Sequence, residues 1–275
     1  MLATTEGGLL PDHQQFGLDL AFLIRRLEIE GESPASPFYA RIAGLSCVMG
    51  HSMGGGASFL AAASDPEIDA IANLAAAETN PSAIAAGQGL TIPALLFSGS
   101  VDCVTPPLQH QIPMYNALAS ECKFLLTITG ASHCQFAEYN FACNLGEFAC
   151  DDPTVSRAAQ QQTVLDFVLP WLQFVLGEQP AAFCSFRDAV STDPRITYLA
   201  YCSEIPAAPQ LTIVPVTSGV ELRWNAVPYA CSYTLQRSIT GAEEDFINYW
   251  IGSANEYTDL TNELLVFYRL RANNQ

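Results

Sequence analysis

The sequence predicts an α/β class: a doubly wound, mostly parallel sheet over residues 1–205, then a small all-β sandwich over residues 206–275. Three observations carry this. Up to about Leu176, short apolar runs alternate with stretches of helical spacing, the pattern of strands joined by crossover helices. One run, Pro93 to Ser100, is continuously apolar, as a strand buried on both faces must be. Beyond Pro206-Ala207-Ala208-Pro209 the helical periodicity stops and alternating segments take over, the mark of short antiparallel strands.

Each element has its own warrant. Pro11 to Glu30 reads as a helix, because Phe16, Leu20, Leu23, Ile24 and Leu27 recur at three- to four-residue spacing. Gly31 to Pro37 is a loop by composition. Ala43 to Met49 is a strand, Gly54 to Ala63 a helix, Ile68 to Ala75 a strand, and Glu78 to Gly89 a polar connection. After Pro93 to Ser100 come a helix, Gln109 to Ala119, and a strand, Lys123 to Thr129. A long loop holds His133, Cys134, Cys143 and Cys150. Asp152-Pro153-Thr154 then caps a helix running to about Leu176, which Pro170 should bend. In the last part Val220 to Trp224, Ser232 to Arg237 and Val266 to Arg271 alternate.

Charge narrows the function. Eleven Lys+Arg against 28 Asp+Glu gives a net charge of −17, which argues against nucleic-acid and anionic-membrane partners. No stretch is long and apolar enough to span a bilayer. Nine cysteines without Cys-x-x-Cys pairs or zinc spacing imply disulfides and an oxidising, extracellular compartment. Met1 to Glu6 has no signal-peptide pattern. The expectation is therefore that coding sequence precedes Met1.

The chemistry centres on Leu45 to Leu60. An apolar strand ends at Gly50-His51-Ser52-Met53-Gly54, and a small-residue helix begins at once. A serine hydroxyl is a poor nucleophile unless it is lifted from the sheet and held against a base, and this strand–turn–helix context does the lifting. The sharp turn should leave no room for a Cβ at Gly50 or Gly54. The helix N-terminus aims free N–H groups at a developing oxyanion, with the Met53 amide as first donor. Asp102 follows the strand of residues 93–100, and His133 follows that of residues 123–129. Ser52, Asp102 and His133 thus occur in the order, and at the strand ends, that a Ser–acid–His triad uses. His13 and His110 lie at helix starts, His110 in a capping or solvated role. His51 should turn away from the serine hydroxyl and line the pocket. Glu78 is the alternative acid.

Together, Gly50-His51-Ser52-Met53-Gly54-Gly55-Gly56, Ser98-Gly99-Ser100-Val101-Asp102 and Gly130-Ala131-Ser132-His133 resemble α/β-hydrolases of the dienelactone-hydrolase and cutinase-like group, which includes polyester hydrolases. The resemblance covers about residues 11–202. It implies hydrolysis of small or polymeric carboxylic esters, with Ser52 as nucleophile, His133 as base and Asp102 as its orienter. It implies no metal or organic cofactor. The fold of this group has further strands before the helix at Pro11, and a loop among them supplies the second oxyanion donor, so the chain reads as an internal piece. Polyester hydrolases carry a tryptophan near the end of the strand after the elbow helix; here Ala75-Ala76-Ala77 stands instead. Residues 206–275 resemble a fibronectin type III domain by Trp224, by Tyr233 and Arg237, and by Tyr268-Arg269-Leu270-Arg271-Ala272, without its last strand.

Cys103 follows the acid and Cys134 the base, so a disulfide between them is expected to hold the two loops apart at a fixed distance. Cys143 is then free to close a short loop with Cys150. Cys184 to Cys202 resembles the C-terminal disulfide loop of polyester hydrolases, which leaves Cys47, Cys122 and Cys231 reduced. The reading is a secreted, monomeric serine esterase. Its rivals are a peptidase of the same fold and an inactive hydrolase fold serving attachment.

Overall fold

The computed structural model describes residues 11–274 apart from Ala43, Glu178, Glu204 and Ile205. The chain divides into two compact units, Met1–Leu176 with Ala189–Ser203, and Gly177–Asp188 with Glu204–Gln275.

In the first unit, helix α1 (His13–Glu32) starts where the Asp12 carboxylate accepts a hydrogen bond from the Gln15 amide, 3.1 Å away. It lies against α2 (Met53–Ser64) through small residues: a Cβ added at Gly17 would come within 2.8 Å of the Leu60 Cβ. Arg25 closes this contact by a two-armed hydrogen bond, 2.7 and 2.5 Å, to Asp65 at the end of α2. Charge-assisted, bidentate geometry makes this the firmest polar link between the helices.

The sheet has the order β1-β2-β3-β4-β5. Its strands are β1 (Cys47–His51), β2 (Ala70–Leu74), β3 (Ala94–Gly99), β4 (Cys122–Ile128) and β5 (Ile196–Cys202). The first four run parallel, and β5 returns antiparallel to β4. Every residue of β3 is buried, as expected of a central strand covered on both faces. Phe59 of α2, Ile71 of β2, Leu96 of β3 and Met114 share one core cluster.

Several local expectations need correcting. The strand before Ser52 starts at Cys47 and continues through His51; Ala43 lies outside the described residues. The connection after Glu78 contains a short helix, α3 (Ala83–Gly87), capped by Ser82. Helix α4 spans Gln111–Ala117. The loop after His133 holds a single 3-10 turn, Cys134–Phe136, and helix α5 (Phe141–Gly146). The next helix, α6 (Arg157–Val175), is capped by Ser156 instead of the Asp152–Thr154 segment, because the Ser156 hydroxyl is the side chain that accepts from the Ala159 amide. Helix α7 (Pro180–Thr192) and β5 are elements beyond those expected from the sequence.

The second unit holds two antiparallel sheets, β10-β7-β6 and β11-β8-β9. Their strands are β6 (Leu211–Val216), β7 (Gly219–Trp224), β8 (Ser232–Ser238), β9 (Ile247–Gly252), β10 (Glu256–Asp259) and β11 (Phe267–Asn273). Trp224, Leu222, Tyr233 and Leu235 form its core. The Asp259 carboxylate, 1 % exposed, accepts from the hydroxyls of Tyr249 and Tyr268 and pairs with Arg237, so its charge is met inside the fold.

Candidate functional site

Ser52 sits between β1 and α2 at φ 56°, ψ −122°. A non-glycine residue at positive φ costs about 1–3 kcal/mol and persists only where its surroundings enforce it. Here the Ser52 amide donates to the Leu74 carbonyl at 3.0 Å, and the Ser52 carbonyl accepts from Ala77 N at 2.8 Å and Gly55 N at 2.9 Å. The turn also needs room. A Cβ at Gly50 would lie 2.1 Å from the Gly54 carbonyl oxygen, one at Gly55 2.7 Å from the Ala76 Cβ, and one at Gly56 2.3 Å from the Ala77 carbonyl oxygen. Gly54 does not share this constraint: its nearest neighbour would be a Phe16 ring carbon at 3.5 Å. Gly50 is crowded as expected, but on the helix side the crowding falls at Gly55 and Gly56, which press on Ala76, Ala77 and Thr79. These alanines are buried, so the segment without an aromatic is packed beneath the elbow helix.

The loops that carry Asp102 and His133 are fastened to each other by hydrogen bonds. Ser100 N donates to the Ile128 carbonyl at 3.0 Å, Val101 N to the Ala131 carbonyl at 3.1 Å, and Gly130 N to the Ser100 hydroxyl at 2.8 Å. From these loops Asp102 and His133 point inward, 4 % and 2 % exposed. His133 Nδ1 lies 2.9 Å from Asp102 Oδ2, and its Nε2 lies 2.9 Å from Ser52 Oγ. A carboxylate only accepts hydrogen bonds, so Nδ1 carries the proton and the neutral ring's Nε2 is left to accept from the serine hydroxyl. Burial pushes the Asp102 carboxyl up, but the His133 hydrogen bond and charge, with the Thr105 donors, outweigh it and hold it below the ordinary carboxylate range.

Asp102 and His133 are therefore held without a bond between their neighbouring cysteines. Cys103 is exposed and joins Cys150; Cys134 is buried and joins Cys143. With Cys103 outside and Cys134 inside, the two sulfurs face different surroundings, and the expected Cys103–Cys134 and Cys143–Cys150 pairs do not form. Instead both loops are stapled to the segment carrying α5, whose Tyr139, Phe141, Leu145 and Phe148 are exposed. The expected Cys184–Cys202 pair is also replaced. The antiparallel register sets Cys202 opposite Cys122, and those two are bonded. In the second unit Cys184 is bonded to Cys231. Of the cysteines expected to stay reduced, Cys47 alone among the described residues is free, and burial pushes its thiol up to about 12.

The remaining candidates take other places. The His51 Nε2–H donates to the His133 carbonyl at 3.0 Å, and the two rings lie 4.6 Å apart. Burial, and then the neighbouring His133, push His51 down to about 4, so it is neutral near pH 7. His110 is the N-cap residue of α4 and is half-buried, but its side chain makes no capping bond there: its Nδ1 accepts from the Glu78 amide at 2.9 Å. Glu78 spends its carboxylate on the Ile84 amide at 3.0 Å. His13 is the first residue of α1. The Met53 amide is the first N–H of α2, one of the donors that a helix leaves without an internal partner.

Two residues at the site were missed. Thr105, 2 % exposed, donates its amide to Asp102 Oδ1 at 2.8 Å, and its hydroxyl lies 2.8 Å from Oδ2. Gln160 of α6 brackets the backbone beside His133, donating to the Ser132 carbonyl at 2.8 Å and accepting from the Ser132 amide at 3.1 Å. Asp102 is itself a turn former, bonding the backbone two residues on, but nothing in the sequence marks Thr105 or Gln160.

Residues 19–151 match a family model described as PET hydrolase-like. That stretch runs from α1 to just past α5 and includes Ser52, Asp102 and His133. The chain is 34 % identical over 87 residues to Cutinase 1 of Thermobifida cellulosilytica, 31 % of this chain and 32 % of that protein. It is likewise 34 % identical over 87 residues to a cutinase of Thermobifida fusca (strain YX), 31 % of this chain and 28 % of that one. Cutinase est1 of Thermobifida alba is 33 % identical over 87 residues. The match spans about a third of the length of these cutinases.

Proposed function

We propose that the chain is a serine hydrolase that cleaves carboxylic esters through an acyl-enzyme. The observation that carries this reading is the unbroken hydrogen-bonded chain from Ser52 Oγ through His133 to Asp102, at 2.9 and 2.9 Å. Ser52 Oγ attacks the ester carbonyl while His133 Nε2 takes its proton. Asp102 accepts from Nδ1 throughout and stabilises the imidazolium. The carbonyl oxygen becomes an oxyanion in front of the Met53 amide, where the helix N-terminus favours negative charge. The imidazolium gives its proton to the departing alcohol. Water, deprotonated by the same base, then attacks the acyl-enzyme; the acyl–Oγ bond breaks, the carboxylic acid leaves, and His133 returns the proton to Ser52 Oγ.

Likeness to cutinases and to the PET hydrolase-like family supports polymeric esters as a substrate class. The buried alanines at the exit of β2, where polyester hydrolases resembling this chain carry an aromatic, favour substrates that need no flat stacking platform there. Four disulfides among the described residues support an extracellular setting. No helix among those residues is long and apolar enough to cross a membrane. The second unit, with its paired antiparallel sheets, fits a fibronectin type III-like spacer.

The test is covalent labelling of the full-length protein by a fluorophosphonate probe, with p-nitrophenyl esters of increasing chain length and a polyester film as substrates. Ser52→Ala should abolish both labelling and turnover. A wild-type protein that neither labels nor hydrolyses any ester would favour the attachment reading instead.

A further inference from the structure

Resting on the hydrolase reading above, we propose that Thr105 is a positioning residue, whose hydroxyl fixes acid and base together. Its Oγ lies 2.8 Å from Asp102 Oδ2, 3.0 Å from His133 Nδ1 and 3.2 Å from the Ala75 carbonyl oxygen. A hydroxyl has one proton to give and lone pairs to receive. Because His133 Nδ1 carries a proton toward Oδ2, Thr105 Oγ stands beside that proton as a second acceptor. Its own proton goes to the carboxylate, its shorter contact. The hydroxyl therefore receives from the base and gives to the acid at the same time.

The rest of the carboxylate is equally committed. Oδ1 accepts from Val104 N at 2.9 Å and Thr105 N at 2.8 Å. With both oxygens filled, the carboxylate plane cannot turn without breaking two bonds. The Oδ2 lone pair that meets His133 keeps its direction because Thr105 holds the other. The third contact carries no hydrogen bond, since the one proton is already given; it packs Thr105 against the segment beside the nucleophile. Ala75 begins the segment whose Ala77 amide donates to the Ser52 carbonyl at 2.8 Å. Its Ala76 carbonyl accepts from buried Gln111 at 2.6 Å. One hydroxyl thus touches the acid, the base and the strand exit that braces the elbow.

Thr105 acts through Asp102 and His133, so its loss should slow the chemistry and leave substrate binding alone. Small displacements of a catalytic group cost up to about 100-fold in rate. Thr105→Val keeps the shape and removes the hydroxyl; Thr105→Ser keeps the hydroxyl and removes the methyl; Thr105→Ala removes both. On a soluble p-nitrophenyl ester, full-length Thr105→Val should lose about 10- to 100-fold in kcat with KM within twofold of wild type. Thr105→Ser should recover most of that loss. If the valine variant does not fold, the serine and alanine variants decide: a fast serine and a slow alanine support the role.

Turnover by Thr105→Val within threefold of wild type would overturn the proposal, as would a serine variant as slow as the alanine one. These outcomes leave the hydrolase reading standing, provided that wild type labels and Ser52→Ala does not. A wild type that neither labels nor turns over would overturn the hydrolase reading and this one with it.

Discussion

Lowering the pH should destabilise this protein through His51 before its carboxylates are protonated. In the fold the ring is pushed down to about 4 by burial and by His133, while in the unfolded chain it titrates near the ordinary value of about 6.5. Above about pH 6.5 both states carry a neutral ring, and no stability depends on it. Between about pH 6.5 and 4 the unfolded chain binds a proton that the folded chain refuses, so unfolding gains as pH falls. With those two values the loss is about 2 kcal/mol at pH 5 and about 3 kcal/mol at pH 4. For a domain of this size 2 kcal/mol lowers Tm by about 4–8 °C. The variant is His51→Gln, which keeps an N–H donor for the His133 carbonyl but cannot titrate. The assay is Tm against pH for both proteins, by calorimetry or intrinsic fluorescence. The two curves should run together above pH 7 and separate below pH 6, with wild type falling faster. Parallel curves from pH 7 to pH 4 would refute the reasoning, because the ring would then be as ready to take a proton in the fold as out of it.

Two further perturbations test the architecture. Gly56→Ala should cost about 1–3 kcal/mol, since its Cβ would meet the Ala77 carbonyl oxygen at 2.3 Å; Gly54→Ala, with 3.5 Å of room, should be neutral or stabilising by up to about 1 kcal/mol as a helix substitution. Urea titration compares the pair, and equal losses would contradict the packing described. Replacing Cys122 and Cys202 by serine opens a link spanning 80 residues, and replacing Cys134 and Cys143 opens one spanning 9. Loop-closure entropy puts these at about 4.5 and about 2.6 kcal/mol, so thermal melts should rank the first variant as the less stable.

Much of this protein is legible in its linear chemistry. The strands before Ser52, Asp102 and His133 announce themselves by short apolar runs, and the Gly-rich elbow by residue types that only a tight turn selects. Those signals are local, so they survive without any knowledge of what packs where. The same holds for the break near Pro206, where one periodicity gives way to another.

Tertiary structure alone decided the rest. Which cysteines meet depends on which way each side chain leaves its loop: exposed Cys103 meets Cys150 and not buried Cys134, and Cys122 meets Cys202 because β5 runs back along β4. The part of Thr105 depends on a turn folding its hydroxyl onto two groups at once, and that of Gln160 on a helix 28 residues away from Ser132. Even the glycines divide this way. Their presence marks the elbow, but only the approach of Ala76 and Ala77 shows that Gly55 and Gly56, and not Gly54, have no space for a side chain. Sequence carries what a residue does to its own backbone; contacts between distant segments exist only once the chain has closed around them.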